Sequence, residues 1–294
     1  MRRNSDRVSP ELNDDITSQL AAAQKIVDRD IRNESVSQQN VNFPLQTEMV
    51  KIPSGGKYYP EDHPLCDEEF VEIKYMTAKD EDILTSKSLL KQGIAIDRFL
   101  ENVVLNKKIK AKDLLTGDKN AILVAARVTG FGPEYSTRVT CPNCSSITQH
   151  SFDLSELENK EEPDWDVLGV DRTEEGTFLV TLPRTGYEVE LRLLTGKDEA
   201  EMLLSLEKRE KKGLPSSSAT TQLSYIIKSI NGNSNRSEIH RVVETLPSFD
   251  SRYIRDIYTQ IIPNLDMTQE FNCSKCGYDQ EVSIPVTVDF FWSK

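Results

Sequence analysis

Two Cys-x-x-Cys motifs, Cys141-Pro142-Asn143-Cys144 and Cys273-Ser274-Lys275-Cys276, constrain this chain more than any other feature. A two-residue spacer lets both sulfurs of one motif reach a single metal, and a structural zinc closes its shell with four ligands, its sulfurs at about 2.3 Å. Two half-sites therefore predict one four-thiolate site, although 128 residues lie between Cys144 and Cys273.

The surrounding sequence repeats with the motifs. Val71-Glu72-Ile73-Lys74-Tyr75-Met76-Thr77-Ala78-Lys79-Asp80-Glu81 is echoed by Val189-Glu190-Leu191-Arg192-Leu193-Leu194-Thr195-Gly196-Lys197-Asp198-Glu199. Leu114, Asp118, Cys141 and Cys144 match Leu246, Asp250, Cys273 and Cys276, all at an offset of 132. Upstream, Ile52-Pro53-Ser54-Gly55-Gly56 is mirrored by Leu182-Pro183-Arg184-Thr185-Gly186. The expected fold is α+β: a duplicated unit of β-hairpin, helices and knuckle hairpin, with the two knuckles joined in a zinc-ribbon-like four-cysteine site. This gives a polar, partly helical or disordered extension over 1–48 and a first repeat over 49–157 with its knuckle at 141–144. An acidic connector follows over 158–176, then a second repeat over 177–294 with its knuckle at 273–276.

Composition narrows the partners. The net charge of −12 opposes a general affinity for polyanions, which depends on Lys and Arg displacing counterions. Residues 153–175 hold ten Asp or Glu against Lys160 and Arg172. No run of 18 apolar residues and no signal-peptide core appears, so the expectation is a soluble, intracellular protein with no membrane contact. Five cysteines, four of them in the motifs, fit metal binding in a reducing compartment better than a disulfide framework.

Local patterns predict a short amphipathic helix over 10–31, with Ile16, Leu20, Ala23, Ile26 and Val27 on one side. It is either a docking element, spanning Ile16 to Ile31, or part of a mobile tail. "FVEIKYM" alternates as a half-buried strand, and Thr77-x-x-Asp80 reads as the cap of the helix after it. Further helices are expected over 95–106, 118–129, 196–212, 219–230, 235–244 and 250–261, with Gly130-Phe131-Gly132 ending one of them. The consecutive Phe290, Phe291 and Trp292 read either as an outward-facing protein interface or as internal packing.

The chemistry of the remaining candidates is thin. A dithiol oxidoreductase needs a low-pKa cysteine at a helix N-terminus, and both motifs precede strand-like sequence. Metal loss or disulfide formation in isolation is the other alternative. His150 reads as a sheet residue rather than a further ligand, Cys66 as an inert thiol in acidic surroundings, and His63 and His240 have no nucleophile nearby in sequence. Neither a Walker loop, a dinucleotide glycine fingerprint nor His-Glu-x-x-His occurs. The repeated Lys-Asp-Glu triplets at helix starts read as caps.

Taken together, "KIPSGGKYYP", "VEIKYMTAKDEDIL", "GDKNAILVAARVTGFGPEY" and "VTCPNC" resemble the baseplate hub assembly protein family of T-even-type contractile-tailed bacteriophages. The resemblance is strong over about 49–157 and extends to the second half through the repeat. It implies a non-enzymatic assembly factor or minor component of the tail baseplate hub that binds hub proteins. Such a protein would work in the host cytoplasm during assembly, with retention in the virion left open. The alternatives of another class are a zinc-ribbon nucleic-acid-binding or regulatory protein and the dithiol oxidoreductase.

Overall fold

The computed structural model describes residues 45–213, 217–284 and 288–291, the backbone alone at 288 and 289. The expected helix from Ile16 to Ile31, and Trp292, lie outside the described residues.

The first half opens with strand β1 (Thr47–Lys51) paired antiparallel to β2 (Phe70–Lys74). Val50, Ile52, Val71 and Ile73 turn inward while Met49 and Phe70 stay exposed, as the period of a strand requires. Helices α1 (Ala78–Thr85), α2 (Lys87–Lys91) and α3 (Ala95–Val103) follow. Then comes α4 (Thr116–Phe131), whose Ala121, Ile122, Leu123, Val124 and Ala126 are all buried. A helix apolar on nearly every side belongs in the middle of a core, and it stops before Gly132 as the sequence suggests.

β3 (Glu134–Thr140) and β4 (Ile147–Asp153) form the first knuckle hairpin. The acidic segment beyond it is more than a tether. Asn159 bridges Leu265, α5 (Trp165–Leu168) follows, and β5 (Val170–Arg172) pairs with β6 (Phe178–Thr181). Arg172 explains why acidic sequence settles here: it pairs with Glu162 at 3.0 Å and lies 5.0 Å over the Trp165 ring, which stacks on Phe178.

The second half forms a four-stranded antiparallel sheet, β5-β6-β7-β8, with β7 at Glu188–Leu191 and β8 at Ile227–Ile230. The helix expected over 219–230 therefore ends early: α7 (Ser218–Ile226) gives way to β8. The β-branched Ile226, Ile227 and Ile230 are buried there, and Lys228 and Ser229 bond to Glu190 on β7. Helices α6 (Gly196–Lys211), α8 (Arg236–Thr245) and α9 (Ser248–Ile261) complete this half, and β9 (Thr268–Asn272) with β10 (Asp279–Ser283) makes the second knuckle hairpin.

Equivalent contacts recur. Thr77 donates to Asp80, which Lys74 meets at 2.6 Å; Thr195 donates to Asp198, which Arg192 clasps with bonds of 2.7 and 2.9 Å. Buried Asp118 accepts from the Ser54 amide, and buried Asp250 from the amides of Arg184 and Thr185, so each turn is anchored to a helix N-terminus. The halves meet where the Thr116 amide donates to Leu194 and the Gly196 amide to Leu114. Gly117 is required at this contact, since a Cβ there would lie 1.8 Å from the Pro263 carbonyl oxygen.

The reading of Phe290 and Phe291 as an interface is corrected. Both are buried, at 0% and 2% exposure. Residues Val288–Phe291 form a 3₁₀ turn rather than a strand, so consecutive side chains need not alternate in and out. Phe291 lies edge-on to Phe99 at 5.2 Å, and Phe290 packs 4.9 Å from Tyr135. This turn thus completes the core of the first half. Buried Arg127 fixes it there, donating to the carbonyls of Phe290, Gly132 and Glu134.

Candidate metal centre

Each knuckle is built by the same backbone pattern. The amide of Cys141 donates to Ser146 and that of Ser145 to Cys141; the amide of Cys273 donates to Tyr278 and that of Gly277 to Cys273. The tight turn needs a left-handed residue, and Ser145 (φ 57°) and Gly277 (φ 68°) supply it at matching positions. This turns the first cysteine of each motif inward and leaves the second at the surface: Cys141 and Cys273 are buried around Phe271, Cys144 and Cys276 exposed.

The two knuckles face one another. All four sulfurs lie within 4.8 Å of each other, so Cys141, Cys144, Cys273 and Cys276 form a group that can hold a metal ion. Across the knuckles, Cys141 Sγ lies 3.7 Å from Cys276 Sγ and Cys144 Sγ 3.8 Å from Cys273 Sγ. A tetrahedral ion with bonds of about 2.3 Å needs sulfur–sulfur edges of about 3.8 Å. A disulfide would need about 2.05 Å.

Hydrogen bonds favour the thiolate form at two of the sulfurs, Cys273 and Cys144. The Lys275 amide is the main influence drawing the Cys273 thiol down to about 6, and Ser146, whose Oγ is 2.9 Å from Cys144 Sγ, lowers Cys144. At Cys276 the Tyr278 amide pulls downward, but desolvation and the neighbouring thiols outweigh it and push the group up to about 11. The crowding that raises Cys276 is what a divalent cation held among the sulfurs would relieve.

His150 is not in the sulfur cluster. Its Nε2 lies 3.1 Å from the Glu270 carbonyl, to which it must donate, and its ring packs edge-on to Phe152 and Phe271. Gln269 adds a second tie between the hairpins, accepting from the Asp153 amide at 3.2 Å. Ser146, His150 and Gln269 were invisible to the spacing of the cysteines, because their roles depend on how the hairpins face each other.

The other candidates stay apart. Cys66 is half-buried, and desolvation followed by the Asp67 carboxylate raises its thiol, in keeping with an inert residue. His63 stacks on Tyr59 at 4.3 Å, accepts from the Leu65 amide and is held toward its neutral form by burial. The fold does place His240 between Ser224 (3.2 Å) and Glu244 (3.5 Å). Ser224 Oγ already donates to the Thr220 carbonyl, and the His240 side chain is 55% exposed, so this is a surface arrangement. No helix among the described residues is long and apolar enough to cross a membrane.

The chain is a mixed α/β fold with small sheets in which two distant knuckles bring together four cysteines that could hold a metal ion. Over residues 45–292 it matches the family model described as T4 bacteriophage base plate protein, and it belongs to that family. No curated protein and no solved structure matches it.

Proposed function

We propose that this chain is a non-enzymatic assembly factor or minor component of the phage tail baseplate hub, working by protein–protein binding in the host cytoplasm. Its two halves are copies of one unit, and a single structural zinc held by Cys141, Cys144, Cys273 and Cys276 ties them together. The observation that carries this reading is the convergence of four sulfurs from knuckles 132 residues apart, at the edge lengths of a zinc tetrahedron, in a member of the base plate family. The matched caps, aspartate anchors and knuckle bonds support duplication. The knuckles lead into β4 and β10 instead of helices, so neither sulfur pair has the helix dipole that redox chemistry uses.

Affinity purification of the tagged chain from infected cells tests the role, with finished virions assayed in parallel. Recovery of hub subunits supports it. Recovery of none, with the chain folded and zinc-loaded, refutes it. Presence in virions separates a hub component from a transient assembly factor.

A further inference from the structure

We propose that the four-cysteine cluster is also a site of reversible oxidation, at which a peroxide exchanges the metal for two disulfides across the knuckles, Cys141 to Cys276 and Cys144 to Cys273. This rests on the shared centre proposed above and adds how that centre responds to an oxidant. Each of the two contacts joins an exposed sulfur to a buried one: Cys276 Sγ lies 3.7 Å from Cys141 Sγ, and Cys144 Sγ 3.8 Å from Cys273 Sγ. The exposed member meets the oxidant, and the buried member is held beside it to resolve the product. Each exposed sulfur also has a polar side chain at hand, Ser146 Oγ 2.9 Å from Cys144 and Asn143 Nδ2 3.8 Å from Cys276. Closing a contact of 3.7 Å to a bond of about 2.05 Å needs a movement of less than about 2 Å. Without an ion, two ties between the hairpins remain to keep the sulfurs opposed, His150 to Glu270 and Gln269 to Asp153.

At each pair the exposed thiolate takes one oxygen from the peroxide and, with a proton from solvent, gives a sulfenic acid and water. The buried thiolate then attacks that sulfur; the S–S bond forms, the S–O bond breaks, and a second proton carries the oxygen away as water. Two thiolates have lost two electrons, and one peroxide has been reduced to two waters. With both pairs closed, no thiolate is left to hold an ion. The disulfides bridge 135 and 129 positions of sequence, so they tie together the same two hairpins as the metal does. The clasp thus persists in an oxidising compartment, and a thiol reductant with zinc restores the first state.

Hydrogen peroxide treatment of the full chain purified with zinc tests it, followed by blocking of free thiols and a tryptic digest without reductant. Lys275 lies between Cys273 and Cys276, so trypsin separates them, while no Lys or Arg lies between Cys141 and Cys144. Zinc should pass to a colorimetric chelator, and blockable thiols should fall from five to one, leaving Cys66, whose raised thiol reacts slowly. The peptide carrying Cys141 and Cys144 should be joined to both peptides of the second knuckle. Fragmentation between its two cysteines should place Cys276 on Cys141 and Cys273 on Cys144, and added reductant should return all five thiols. Bonds within each knuckle, Cys141 to Cys144 and Cys273 to Cys276, would overturn the proposal. So would the opposite cross pairing, dimers linked through these cysteines, sulfinic acids without disulfides, or four thiols that survive the peroxide. Elemental analysis before treatment separates this from the metal reading. Absent zinc refutes the shared metal while the digest still decides the sulfur pairing, and bonds within each knuckle in a chain that began with one zinc refute this inference alone.

Discussion

Replacing Phe290 with alanine tests the claim that the chain end belongs to the core of the first half. Phe290 is fully buried, its ring 4.9 Å from Tyr135 and 5.5 Å from Phe291, with the Arg127 guanidinium 5.6 Å from its centroid. Removing a buried phenylalanine costs about 3–5 kcal/mol through lost transfer energy and the cavity left behind. The aromatic pairs are worth about 0.5–1.5 kcal/mol beyond buried area, which places the expected loss toward the upper part of that range. The bond from Arg127 to Phe290 is made to a carbonyl and survives, so the chain end should stay attached. Against a typical stability of about 5–15 kcal/mol, the variant should fold but unfold at clearly lower urea, with an unchanged denaturant slope. Proteolysis should also rise within Glu134–Thr140, because the ring packs against Tyr135 of that strand. A loss below about 1 kcal/mol would refute the packing described here.

Two further outcomes are expected. Cys273→Ser should increase cleavage near 134–150 as well as in its own hairpin, read by limited proteolysis with mass mapping; damage confined to 268–283 would mean the knuckles do not hold each other. Asp80 and Asp198 are held below the usual carboxylate range: burial works against this, but the bonds led by Lys74 and by Arg192 prevail. A depressed folded value contributes stability that is complete above the unfolded value of about 3.9 and is lost as pH falls through the folded one. Lys74→Met should therefore flatten the loss of stability on acidification below about pH 4, followed by thermal unfolding; an unchanged acid limb would remove Lys74 from the account.

Much of the centre was legible because cysteine spacing is a direct constraint on geometry. The offset of 132 located the sulfurs, and it also pairs Ser145 with Gly277 and Ser146 with Tyr278, whose backbone roles turn out to match. The capping aspartates were legible for the same reason, since a cap acts within one turn. What the sequence hid is non-local. Ile227–Ile230 continued a helical pattern, yet the open side of β7 claimed it for the sheet. Consecutive aromatics left interface and internal packing both open for Phe290 and Phe291; a 3₁₀ turn carries both to a core built by residues more than a hundred positions earlier. Arg127, in the middle of an apolar helix, gave no sign that three carbonyls at the base of a knuckle and the chain end would satisfy it.

The central claim is that one metal is shared by two knuckles, and the zinc content of the purified full chain tests it most directly, measured by elemental analysis against protein concentration. The account predicts one zinc per chain, lost on Cys141→Ser and equally on Cys273→Ser, because each knuckle supplies only half of the ligands. Two zinc ions per chain, none in protein made with zinc, or one retained after either substitution would contradict it.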